Sequence, residues 1–139
     1  MNNLLLDTDV LMDFFLDRKP FSDDAAKILS LCELKQLNGF VTPVIISNLY
    51  YLLRKLSNHN KVIEKLKQLL TFIDVLEMTR EIIIKALNSD FKDFEDALQN
   101  YSAENSMFIN VIITRNTKDY KNSYLGVMTP EDFLKLIAS

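Results

Sequence analysis

Acidic and amide side chains collect at three separated places in this 139-residue sequence. Leu4-Leu5-Leu6 runs straight into Asp7-Thr8-Asp9. Asp93, Glu95 and Asp96 open a helical segment. Val111-Ile112-Ile113 runs into Thr114-Arg115-Asn116, with Asp119 just beyond. In open α/β sheets, ligands bind beyond the carboxyl ends of parallel strands. Three or four oxygens converging at such an edge make a hard-cation site. No Cys or His joins the set, so Mg²⁺ or Mn²⁺ is favoured over zinc.

Each residue also has a plainer reading. Asp7 either orients a metal or caps the following helix, and Asp9, immediately before Val10, is the stronger cap candidate. Asp93 and Asp96 are i, i+3 neighbours that project side by side. Asp93 reads first as a cap and Asp96 as a ligand, because Asp96 sits past the best capping position and beside an apolar stripe. Phe94 and Ala97 are expected to face the core, and Glu95 to point away. Thr114 and Asn116 supply oxygens at the strand end, and Asp119 is placed to reach back over it, although Asn116 and Asp119 are also ordinary turn formers. Asn48 lies in the apolar run Pro43–Tyr51, where its amide needs a partner. Arg115, Lys118 and Lys121 are candidates for contacting a nucleic-acid backbone, with solvated loop charge as the alternative.

The elements that must position these groups alternate between strand and helix. Residues 3–6 read as a buried strand and 9–16 as a helix. Ser22-Asp23-Asp24 opens a second helix that should stop near Asn38-Gly39. Residues 40–42 form a brief strand, and Pro43 starts a helix through Leu56 that should be well buried. A helix at about 61–70, a strand at 72–76 and a helix at 80–88 capped by Thr79 follow. Phe94, Ala97, Leu98 and Tyr101 form an i, i+3, i+4, i+7 stripe. Residues 108–113 read as a strong strand and 126–128 as a last one. Thr129-Pro130 opens the final helix. The alternation predicts one α/β domain over residues 1–139, a three-layer α/β/α sandwich around a mostly parallel sheet of about four to five strands.

Composition excludes several classes. The net charge of −3 is not the footprint of a protein that binds nucleic acid by charge alone. Two glycines in the whole chain leave no room for a Gly-rich phosphate loop. Cys32 is the only cysteine and reads as packing in a reducing compartment. His59, the only histidine, falls in an expected surface turn. No apolar run approaches the roughly 18 residues of a membrane helix, and the N-terminus lacks a basic n-region. A cytoplasmic protein without membrane contact is expected.

The segments Leu4–Leu11, Asp93-Phe94-Glu95-Asp96-Ala97-Leu98-Gln99, Ile112–Tyr120 and Met128–Phe133 together resemble the PIN domain, the nuclease domain of VapC-type toxins. The resemblance spans nearly the whole chain. It implies a metal-dependent ribonuclease whose acidic cluster maps to Asp7, Asp96 and the Asn116/Asp119 segment, with Mg²⁺ or Mn²⁺ as cofactor. It also implies RNA as substrate and an antitoxin partner. The apolar helices at 44–70 suit a homodimer interface, with Tyr50, Tyr51 and Leu52 as core residues the alternative. The family usually carries Glu in the helix after the second strand, and Asn48 is the nearest match. That departure leaves a second reading, a PIN-derived module that binds RNA or protein without cleaving.

Overall fold

The computed structural model describes residues 2–139. Its elements run β1 (Asn3–Leu6), α1 (Thr8–Phe15), α2 (Ser22–Glu33), β2 (Asn38–Val41), α3 (Pro43–Arg54), α4 (His59–Leu69), β3 (Ile73–Val75), α5 (Arg80–Leu87), α6 (Phe94–Ser106), β4 (Val111–Ile113), a 3-10 turn (Thr117–Tyr120), β5 (Gly126–Met128) and α7 (Pro130–Ala138). The five strands form one sheet in the order β3-β2-β1-β4-β5. Every neighbouring pair is parallel, with Leu5 opposite Phe40 on one side and Ile112 on the other. Parallel strands need crossover helices, and these cover both faces of the sheet. Leu4, Leu5 and Leu6 are accordingly all fully buried, although successive side chains point to opposite faces. This is the expected α/β/α sandwich.

The strand order fixes where a site can form. From β1 the chain steps first to β2 on one side and later returns to β4 on the other. The reversal leaves a crevice beyond the carboxyl ends of β1 and β4. The Asp7 N–H donates to the Ile113 carbonyl (3.0 Å) and ties those two ends together.

Local signals explain most element boundaries. Thr42, Asn58, Thr79, Asp93 and Thr129 cap α3, α4, α5, α6 and α7 through side-chain oxygens. Several expectations are corrected. Asp7, not Asp9, caps α1. The helix after Ser22 stops at Leu34, where Lys35 takes the left-handed conformation (φ 62°), so Gly39 is no helix stop. Gly39 lies inside β2 because a Cβ there would come within 2.5 Å of Ile73 Cδ1 and 2.9 Å of Cys32 Sγ. Of α3, only Ile45, Leu49 and Leu53 are buried, whereas Tyr51 is 67% exposed. Phe94 lies outside the core, 47% exposed, while Ala97 and Leu98 are buried. The strand expected over 108–113 is only Val111–Ile113: before it, the Asn3 backbone N–H donates to the Asn110 side chain and the Asn3 side chain donates to the Phe108 carbonyl, so side-chain bonds take the place of the ladder. Cys32 is buried, as expected of a packing residue. Among the described residues no helix is long and apolar enough to cross a membrane.

Candidate functional site

A cleft of about 560 Å³ opens at the crevice between β1 and β4. Five segments line it. The first turns of α1 contribute Thr8, Asp9 and Met12 beside Asp7, and α6 contributes Glu95, Asp96 and Gln99. One face of α3 contributes Asn48, Tyr51 and Leu52, and its C-cap Lys55 continues that face, at i, i+3, i+4 and i+7. Arg18, Arg115 and Asn116 complete the wall. Deeper in, the buried Thr42 hydroxyl bonds the buried Gln99 side chain, which fixes the start of α3 against α6.

Asp7 is the most enclosed carboxylate of the cleft. Its Oδ1 accepts from the Thr8 N–H (2.8 Å), and its Oδ2 lies within reach of the Thr114 (3.0 Å) and Tyr120 (3.2 Å) hydroxyls. The Tyr120 hydroxyl also lies 3.4 Å from Asp96 Oδ1, so one buried phenol spans both carboxylates. A phenol has one proton to give, so it serves one carboxylate at a time. Burial first, then the Asp9 charge, raises the Asp7 carboxyl from 3.8 to about 6. Burial, then the charges of Asp7, Asp93 and Asp119, raises Asp96 to about 7. The same burial and carboxylates push the Tyr120 phenol far above its ordinary value, so it remains a donor.

Asp9 reaches across to the β4 end instead of capping its own helix. Its Oδ2 is near the Arg115 N–H (3.1 Å), the Thr114 hydroxyl (3.3 Å) and Asn116 Nδ2 (3.3 Å). Its Oδ1 is buried and has no hydrogen-bond partner. Such an orphaned carboxylate oxygen is costly unless something polar or cationic meets it. Burial accordingly raises the Asp9 carboxyl.

The nearest guanidinium is held elsewhere. Arg115 binds Asp13 through Nε (2.6 Å) and the terminal Nη2 (3.1 Å), with Arg18 Nε on the same carboxylate at 2.8 Å. Asp13 is 1% exposed, and the Arg115 guanidinium stacks 4.0 Å from the centre of the Phe21 ring. Among the described residues, no Lys or Arg side-chain nitrogen lies within 4.0 Å of an Asp7, Asp9, Glu95 or Asp96 carboxylate oxygen.

The sequence-derived candidates are thus distributed unevenly. Asp7, Asp9, Asp96, Asn48, Arg115 and Asn116 line the cleft, and the buried Thr114 backs it. Asp93 caps α6 through Asp96 N–H (3.0 Å). Asp119 and Lys118 are exposed on the 3-10 turn outside the cleft lining, although the Asp119 charge is felt at Asp96. Glu95 does not point away: it lines the cleft, and its Oε2 accepts from Asn48 Nδ2 at 2.9 Å. Sequence reasoning missed Asp13 and Tyr120. Their signals were an acid four residues after Asp9 in an apolar helix, and the aromatic ending Thr114–Tyr120.

The donor set fits a hard divalent cation: oxygens only, two of them on carboxylates joined by one hydroxyl, plus the unpartnered Asp9 Oδ1. Among the described residues no three His, Cys, Asp or Glu side chains close into a ready cage, contrary to the expected three or four converging oxygens. Mg²⁺ needs no such cage, since it keeps several waters and binds through one or two carboxylates.

The described geometry has counterparts among known proteins. No curated protein sequence matches the chain. A toxin-antitoxin complex from Klebsiella pneumoniae is similar in structure, with TM-score 0.67 and 21% identity, covering 91% of this chain and 97% of that one. VapBC2 from Rickettsia felis, bound to a DNA fragment of its promoter, gives 0.65 and 14%, covering 91% and 96%. VapC20 from Mycobacterium tuberculosis, a sarcin-ricin loop cleaving toxin, gives 0.60 and 16%, covering 78% and 86%. At these identities the likeness speaks for the fold. The profile of the PIN domain matches residues 3–118, and the chain belongs to the PIN domain family.

Proposed function

We propose that the protein is a divalent-metal-dependent ribonuclease and the toxin of a toxin-antitoxin pair. The observation that carries this reading is the pair Asp7 and Asp96, joined by the Tyr120 hydroxyl at the sheet's switch point with no cation of the protein beside them. Asp7 and Asp96 would hold Mg²⁺ or Mn²⁺, with Asn116 beside them at the cleft wall and Asp119 adding negative charge from outside it. When bound, the ion supplies an activated water and neutralises charge on the phosphodiester oxygens.

The chain's own groups do the rest. Thr114 and Tyr120 orient the Asp7 carboxylate by donating to Oδ2. Arg18, Lys55 and Arg115 rim the cleft and give an RNA backbone its cationic contacts despite the net charge of −3. The open, shallow shape suits single-stranded RNA, whose backbone can bend toward the carboxylates. Lys118, outside the cleft, is left as a contact for flanking RNA. The toxin reading brings a partner antitoxin, and the exposed Tyr51 offers an apolar wall for its segment.

The test is cleavage of RNA by the purified protein and by Asp7→Asn and Asp96→Asn. Mg²⁺-dependent cleavage should fall at least about 100-fold in each, since losing even an outer partner of a metal ligand costs roughly 10–100-fold. Undiminished cleavage in both variants, with contaminating nucleases excluded by a mock purification from cells lacking the protein, would refute the assignment.

A further inference from the structure

We infer that Glu95 is a third carboxylate of this metal cleft and that Asn48 is the residue that positions it. The inference rests on the metal reading above. An exposed Glu in the first turn of a helix is ordinarily free to sample its rotamers. Here it is not free: α3 and α6 are already fixed against each other by Thr42 and Gln99, and the half-buried Asn48 amide sits opposite Glu95. The amide donates to Oε2 at 2.9 Å and leaves Oε1 available toward the cleft that both residues line.

The kind of partner matters as much as the contact. Asp93, Glu95 and Asp96 already crowd one turn with negative charge, and Asp7 faces them. If the pair were only a link between helices, a cation would satisfy Glu95 better, and Lys55 stands on the same face of α3. An amide instead orients the carboxylate without neutralising it. The charge stays available to a divalent ion. The same contact answers the Asn48 puzzle: a neutral residue on α3 contributes a carboxylate indirectly, through a neighbour on α6.

The test is calorimetric titration of Mn²⁺ into the full chain and three variants, with thermal unfolding of each metal-free sample. Glu95→Gln keeps a carbonyl for the Asn48 amide and removes only the charge; its Mn²⁺ affinity should fall roughly 10–100-fold with no loss of melting temperature. Asn48→Ala frees the carboxylate and should weaken binding by less than Glu95→Gln does. The exchange Asn48→Glu/Glu95→Gln puts a carboxylate back at the same place from the other helix and should regain most of the lost affinity. Wild-type Mn²⁺ affinity in Glu95→Gln overturns the inference. If Asp96→Asn loses binding while Glu95→Gln keeps it, the metal reading survives and the Glu95 role does not. If the wild-type chain takes no Mn²⁺, both fall.

Discussion

Concentrating unneutralised carboxylates in a cleft makes the metal-free protein sensitive to pH in an unusual direction. The folded Asp7 carboxyl is raised to about 6 and Asp96 to about 7, against 3.8 for the free group. Below 3.8 both states are protonated and neither group affects stability. Between 3.8 and the folded value the unfolded chain loses its proton while the folded chain keeps it. The unfolded state then binds fewer protons, so stability falls as pH rises, by about 1.4 kcal/mol per unit per group. From pH 5 to 8, Asp7 contributes about one unit of this, about 1.4 kcal/mol. Asp96 would contribute about two units, but it is only half-buried, so water screens it and about half is retained. The two groups feel each other and titrate as a pair. A decline of about 2–3 kcal/mol is expected between pH 5 and 8, nearly complete by about pH 7.5. The assay is urea unfolding in chelator across that range. Asp96→Asn removes one charge of the pair and should flatten the curve, making the variant more stable than wild type at pH 8. Saturating Mn²⁺ should also remove the decline, because a ligand of the native state adds RT ln(1 + [L]/Kd) that grows as the carboxylates ionise. Stability that rises from pH 5 to 8 in chelator, or an Asp96→Asn curve as steep as wild type, would refute the reasoning.

Other substitutions separate the roles of neighbouring groups. Asp13→Ala removes a buried carboxylate shared by Arg18 and Arg115; because both guanidinium groups can turn to water, a loss of about 2–4 kcal/mol is expected by urea unfolding, with weaker RNA binding as Arg115 loses its anchor. Tyr120→Phe should cost about 1 kcal/mol and lower Mn²⁺ affinity, because it deletes the one hydroxyl that spans Asp7 and Asp96. Gly39→Ala should destabilise by about 1–3 kcal/mol in thermal unfolding, since the added methyl meets Ile73 and Cys32 inside a packed strand pair. Arg115→Ala should raise the KM for RNA more than it lowers kcat, as expected of a group that holds the backbone rather than the reacting phosphate.

What could be read without coordinates were features with a local cause. Thr129 and Pro130 announce α7 because an N-cap oxygen and a ring at the first helical position act within one turn. Leu4–Leu6 announces a doubly covered strand because every residue is apolar, and Asp7 follows it directly. What could not be read depended on contacts between distant elements. The start of β4 is set by Asn3, 107 positions away from Asn110. Gly39 looked like a helix stop because glycine often is one, yet its role is to let Ile73 and Cys32 close on the backbone. The sites of Asp13 and Tyr120 were invisible because their partners, Arg115 and Asp7, come from the far end of the chain.

The same distinction governs the site. Helical spacing gave Asp96 its place beside the core but misjudged Glu95 next to it, because a rotation of one residue on an isolated helix does not say what stands opposite. Opposite stands α3, held there by Thr42 and Gln99, and its Asn48 turns an exposed side chain toward the cleft. A carboxylate cluster is costly to fold when its charges are desolvated, and no Lys or Arg side chain forms a salt bridge with this one, since Asp13 draws Arg115 and Arg18 to itself. The raised Asp7 and Asp96 groups are the energetic trace of that arrangement. A fold built for stability alone would let Arg115 reach Asp9, whose backbone contact already brings it to 3.1 Å. Instead a buried acid holds the guanidinium at the rim. The protein keeps negative charge in the cleft and positive charge around it, which is the division needed to bind a cation and a phosphodiester at adjacent points.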